Sequence, residues 1–144
     1  MMERIRLEAT EIKYMTLFEN LTGAKVRDCV SESNTIGFLV EKGYMGLAIG
    51  KNGTNISRAM KFTGKNIVVM ESFPDINNFM SNLFQPLKIR NSRVMEDEGK
   101  KVAIVEINKR DRSKVIGPDG VRIKIARKLA DRHFGVSDIK IKAI

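Results

Sequence analysis

The chain has 144 residues, 42% of them hydrophobic and 30% charged, with a formal net charge of +9. That is room for one ordinary domain or two of roughly 70 residues each, in the composition range of folded soluble domains. No apolar run approaches the length of a membrane span, the lone cysteine (Cys29) cannot form an internal disulfide, and one Cys with one His cannot build a structural zinc site.

The N-terminal stretch "MMERIRLEATEIKYM" carries early charges of both signs and no apolar core, so a secretory leader is not expected and a reducing cytoplasm is the expected compartment. Residues 9–22 place Ile12, Met15, Leu17 and Phe18 at a helical period, ended by Gly23. "AKVRDCVSES" (24–33) alternates as an edge strand does, which makes Cys29 a small sheet or core residue. "TIGFLVEK" (35–42) is apolar throughout its first six positions and predicts a more buried strand. A short helix over "GYMGLA" (43–48) leads to Gly50. A second helix over 54–63 carries Ile56, Ala59, Met60 and Thr63 on one face, and "NIVVMES" (66–72) is the closing strand.

The same order then recurs. Residues 74–84 open with Pro74 and Asp75, good first-turn residues. Residues 87–96 and 101–108 read as strands around an "EDEG" turn, "KRDRSKVI" (109–116) as the short helix, 121–132 as the longer one and 136–144 as the last strand. Aligning Gly50 with Gly117 pairs Val40 with Ile107, Ile49 with Ile116, Gly53 with Gly120, Ile56 with Ile123 and Ala59 with Ala126. The chain is thus expected to be a duplication, with units at 1–72 and 75–144. Only "SFPD" (72–75) joins them, so the units should pack closely and share a composite surface.

The basic excess is uneven. Residues 1–74 carry 10 basic and 8 acidic side chains, residues 75–99 carry 3 and 4, and residues 100–144 carry 13 and 5. An anionic partner is expected, and nucleic acid is the commonest.

The anchor of each unit is a Gly-X-X-Gly between helices, "IGKNG" at 49–53 and "IGPDG" at 116–120. The glycines permit positive φ and a close backbone approach, and the unpaired amides at a helix start suit a phosphate. Lys51 adds a charge and Asn52 a donor. In the copy, Pro118 has no N–H and Asp119 sets a carboxylate beside the same place. Asp119 is a candidate cap for the helix behind it, whose Arg122, Lys124, Arg127, Lys128 and Arg132, with Lys114 ahead of the loop, are expected to offset its charge. The copied loop then serves to position a basic helix, or is structural only. Lys109, Arg110 and Arg112 form a further basic cluster. Phe18, Phe38, Phe62, Phe79 and Phe84 fall at core-facing periods, leaving no aromatic platform for bases. His133 is expected at a helix end in a capping or surface role, and no cofactor, metal or catalytic constellation is evident.

The stretch "AIGKNGTNISRA", with helices on both sides, a strand after it and a second copy downstream, resembles the core of the KH domain. The helix and strand ahead of it resemble the type II arrangement. The resemblance implies an α+β fold of two tandem type II KH domains, each a small three-stranded mixed sheet packed against helices. It also implies a loop that clamps the backbone of single-stranded RNA, with bases held on an adjacent apolar groove. Two such units in a chain of this length resemble the archaeal NusA-like transcription factors, which implies a non-enzymatic RNA binder in transcription elongation or termination. Bacterial NusA adds a polymerase-binding domain and an OB-fold domain, for which this sequence has no room. RNA polymerase is therefore a secondary candidate partner, no membrane association is expected, and a monomer is expected. Alternatives are an RNA-processing or ribosome-assembly adaptor and a protein-interaction scaffold with KH folds. The residues expected to meet RNA are Gly50, Lys51, Asn52, Gly53, Arg58, Lys114, Gly117, Gly120, Arg122 and Lys124.

Overall fold

The computed structural model describes residues 9–144; the first part of the N-terminal reading above falls on residues 1–8 and lies outside them. Helix α1 (Ala9–Thr22) precedes strands β1 (Val26–Glu32) and β2 (Thr35–Val40), short helix α2 (Met45–Ile49), helix α3 (Thr54–Thr63) and strand β3 (Asn66–Glu71). The second series is α4 (Ile76–Asn82), β4 (Asn91–Asp97), β5 (Lys100–Ile107), α5 (Arg112–Ile116), α6 (Val121–Phe134) and β6 (Val136–Ala143). Each series makes a three-stranded mixed sheet, ordered β1-β2-β3 and β4-β5-β6, in which the first pair is antiparallel and the second parallel. A parallel pair needs a crossover, and here the two helices flanking each Gly-X-X-Gly provide it. The expected α+β architecture is what forms.

Boundaries moved in a few places for local reasons. Strand β4 starts at Asn91 rather than residue 87, because the Leu87 amide turns back to the Phe84 carbonyl and pairing with β5 begins only at Arg90. Helix α6 runs two residues past Arg132 and stops at Gly135, whose left-handed conformation returns its N–H to Ala130 and Asp131. Asp75 caps α4 by accepting from the Asn78 amide at 3.0 Å.

The two sheets are buried differently. Cys29, Ile36, Phe38 and Val40 face α1, α2 and α3, where Phe18 stacks on Phe38 with ring centroids 4.2 Å apart. The opposite face of the same sheet, through Val30, Leu39 and Met70, joins the core built by α4, α6 and the second sheet. All six positions of β2 are therefore buried, a more buried strand as expected. Gly37 lets α6 come this close: a Cβ there would lie 2.5 Å from Ile125 Cγ2. By contrast, β5 buries only alternate residues (Ala103, Val105 and Ile107), and β4 buries none fully, with Ser92 and Val94 half-buried. Burial pushes the Cys29 thiol up to about 12, helped by nearby Glu11 and Asp28, so it remains a protonated core residue.

Candidate nucleic-acid interface

The two Gly-X-X-Gly loops have one backbone. Gly50 sits at φ 78°, ψ 166° and Gly117 at φ 81°, ψ 166°. Asn52 (φ 56°, ψ 30°) matches Asp119 (φ 56°, ψ 25°), and Gly53 (φ 75°, ψ 16°) matches Gly120 (φ 72°, ψ 16°). Gly50 and Gly117 occupy a region that is essentially closed to other residues. A Cβ on either would also lie 2.8 Å from the backbone nitrogen of Asn55 or Arg122. Asn and Asp are the side chains that best tolerate the left-handed position between the glycines. The chain is held by Gly53 N–H to Gly50 O at 3.1 Å and by Gly120 N–H to Gly117 O at 3.0 Å.

What the loops offer outward differs. Lys51 and Asn52 are exposed at the tip, and their amides make no hydrogen bond to the described residues. The Thr54 amide, by contrast, returns to Lys51 O, so the open donors lie within the loop and one step ahead of the helix start expected from sequence. In the copy the Val121 amide returns to Pro118 O, residue 118 has no N–H, and only the Asp119 amide is left. Asp119 is exposed and does not cap α6: the cap position is Gly120, with no side-chain bond.

Beside the first loop is an apolar cavity of about 170 Å³ lined by Met45, Ile49, Ile56, Ile67 and Val69 and closed by Gln85, Pro86 and Arg122. Ile49 and Ile56 thus line a groove, and Ile56 also packs against the core of the first unit. Gln85 and Pro86 belong to the second series and carry no motif; the short 72–75 connection was the only sequence signal that both units would share this surface. Arg58 and Lys61 are exposed on α3 and do not line the cavity. Two other expectations for α3 are corrected. Met60 is 39% exposed and Phe62 68% exposed, because α3 buries only the narrow stripe around Ala59 and both larger side chains fall outside it.

In the second unit, Lys114 and Lys124 are exposed, but the remaining cations of α6 are committed. Arg122 turns inward: Nη2 donates to the Gln85 carbonyl at 2.8 Å, its guanidinium lies 5.9 Å from the Phe84 ring centroid, and burial lowers its pKa. Arg127 bridges Asp138 at 3.2 Å and donates to Ile139 O. Lys128 meets Glu32 at 2.8 Å, and Arg132 meets the buried Asp28 at 2.9 Å. His133 has no surface or capping role, since its Nε2 lies 2.8 Å from the other Asp28 oxygen. Burial by itself would raise the Asp28 pKa, but His133, the Cys29 amide and Arg132 outweigh it and hold the carboxyl below its ordinary range. Arg127, Lys128 and Arg132 are thus tied up in ion pairs, the last two as a clamp onto β1, and are not free to offset Asp119.

Comparisons with known proteins fit this geometry. Residues 76–143 match the family described as the NusA-like second KH domain. A Methanococcus vannielii protein named "Probable transcription termination protein NusA" is 36% identical over 97% of this chain and 81% of its own length. A Halococcus morrhuae protein of the same name is 33% identical over 96% of this chain and 99% of its own. The crystal structure of APE1850 superposes with a TM-score of 0.76 at 32% identity, covering 94% of this chain and all of that one. On sequence and fold together, the chain belongs to the NusA-like family of KH-domain proteins.

Proposed function

We propose that the chain is a non-enzymatic, single-stranded RNA-binding protein that acts in transcription termination or elongation, with residues 1–72 and 75–144 as its two KH domains. The observation that carries this is the 50–53 loop, whose exposed Lys51 and Asn52 offer two open amides and which is flanked in sequence by Ile49 and Ile56 of an apolar groove. Amides and a lysine suit a phosphodiester, and an aliphatic groove suits an unstacked base. Arg58 and Lys114, both exposed, add attraction along the strand, and the exposed Lys109, Arg110 and Arg112 extend it. The relatives' name supplies the transcriptional setting, and RNA polymerase is the protein partner that setting suggests.

The test is titration with short unstructured RNAs. Lys51→Asp combined with Asn52→Asp replaces one attraction with two repulsions, each on the order of 1 kcal/mol near water, and is expected to weaken binding about 30-fold or more. The fold should survive, because Asp119 already holds the same backbone conformation in the copy. Parent affinity should fall with rising salt with a slope of about −0.7 per phosphate neutralised. Equal affinity of variant and parent would remove the loop from the interface.

A further inference from the structure

A second and larger cavity, of about 690 Å³, opens between the units. Asn34, in the β1–β2 turn, and Asn66, at the start of β3, stand on one side of it. Lys114 and the second loop, with Asp119, stand on the other, and Val68, Pro86 and Leu87 supply apolar surface between them. Val68, Pro86 and Arg122 border this cavity and the groove of the first loop alike, so the two adjoin across a shared wall.

Two features point to what this cavity takes. Arg122 is a largely buried positive charge with no carboxylate in ion-pair contact among the described residues, and its Nε–H is buried without a partner. Buried charges are ordinarily paired, so an anion at the junction of the two cavities is favoured. In addition, the side chains of Asn34, Asn66 and Asp119 are exposed and make no hydrogen bond to the described residues. A mostly apolar slot rimmed by amides and one carboxylate suits a flat heterocycle with a hydrogen-bonding edge.

We propose that this cavity seats one nucleotide of the RNA as the strand leaves the first loop, with its phosphate near Arg122 and Lys114 and its base edge read by Asp119; this rests on the RNA-binding reading above. An ionised carboxylate only accepts hydrogen bonds. It favours guanine, whose N1–H and N2 amino group present two adjacent donors. It disfavours uracil, whose single donor is flanked by two carbonyl oxygens. Asp119 is then a base selector in a loop whose proline has removed one phosphate-binding amide.

The test uses the full chain and ten-nucleotide uridine-rich RNAs carrying a single guanine, compared with the all-uridine oligomer. The parent should bind the oligomer with an interior guanine about 10-fold more tightly, and Asp119→Asn, which keeps the left-handed backbone but sets an NH₂ group against those donors, should reduce the difference to about 2-fold or less. Three results overturn the inference: no guanine effect in the parent, a guanine effect that persists in Asp119→Asn, or equal tightening of every RNA by that variant. The last would make Asp119 only an electrostatic obstacle to phosphate. The Lys51→Asp, Asn52→Asp variant, titrated against the all-uridine oligomer, separates the two readings. Weakened binding there with no guanine effect in the parent leaves RNA binding standing and removes the seam site, whereas unchanged binding removes the first loop from the interface and with it the path that leads from that loop into the seam.

Discussion

Residues 50–53 and 117–120 follow nearly the same backbone path, yet they present opposite chemistry. The first shows two open amides, a lysine and an asparagine; the second shows one amide, a proline and an aspartate. The helices behind them differ in the same sense. On α3, Arg58 and Lys61 remain exposed, whereas α6 commits Arg127, Lys128 and Arg132 to ion pairs, two of them with β1. Duplication preserved the bend, because glycine geometry permits no other residue at its first position, and left the side chains between the glycines free to take different work.

The largest expected effect breaks the second helix's side of this comparison. Asp28→Asn leaves Arg132 and His133 facing an uncharged amide in a buried site and should cost about 3 kcal/mol of stability, measured by denaturant unfolding, without changing RNA affinity. The Asp28 pKa is depressed in the folded state, so its contribution is complete above the ordinary carboxylate pKa of about 3.9 and is lost as pH falls through the lower folded value. The parent's advantage over the variant should be constant near neutrality and shrink in acid below about pH 4. An advantage that stays unchanged down to pH 2 would contradict this assignment to the Asp28 carboxylate.

Glycine replacements probe the shared bend. Gly50→Ala and Gly117→Ala each force a Cβ to 2.8 Å from a backbone nitrogen at a conformation reserved for glycine, and each should cost about 2 kcal/mol or more. Gly53→Ala has open space and only the left-handed penalty of about 1 kcal/mol. Thermal unfolding would rank them, and a Gly53 variant as damaging as the Gly50 one would mean that contact with Asn55 is unimportant. The smallest effect sharpens the contrast in donors. Pro118→Ala restores an amide to the second loop and should tighten RNA binding about 2-fold, roughly the contribution of one weak exposed hydrogen bond.

Much of this was legible from residues alone. Helices α1 and α3 fall over the stretches where apolar periodicity places them, with Gly23 ending α1, and β2 was expected to be more buried than β1. The offset between Gly50 and Gly117 disclosed the duplication. The roles of His133, Arg132 and Lys128 were not legible, since their partners Asp28 and Glu32 lie about a hundred positions away and meet them only once the units dock. Gly37, a glycine in the middle of an apolar strand, was the available hint that another element would come close there. Phe62 misled because an aromatic side chain at a plausible period was taken as inward-facing, while α3 packs through its smallest residue. The seam cavity was signalled only by the short 72–75 connection and by Lys114, Gly117 and Arg122, while Asn34, Asn66 and Pro86 elsewhere in its lining belong to separate connections or strand ends.

The central claim is that the amides of Lys51 and Asn52 receive a ribonucleotide backbone, and amide resonances report on this directly. In a titration of the isotopically labelled chain with a short unstructured RNA, the Lys51 and Asn52 N–H signals should shift downfield early and saturate with the binding curve, while Gly53, already bonded to Gly50 O, shifts less. Saturable RNA binding that leaves the Lys51 and Asn52 signals in place would contradict the account.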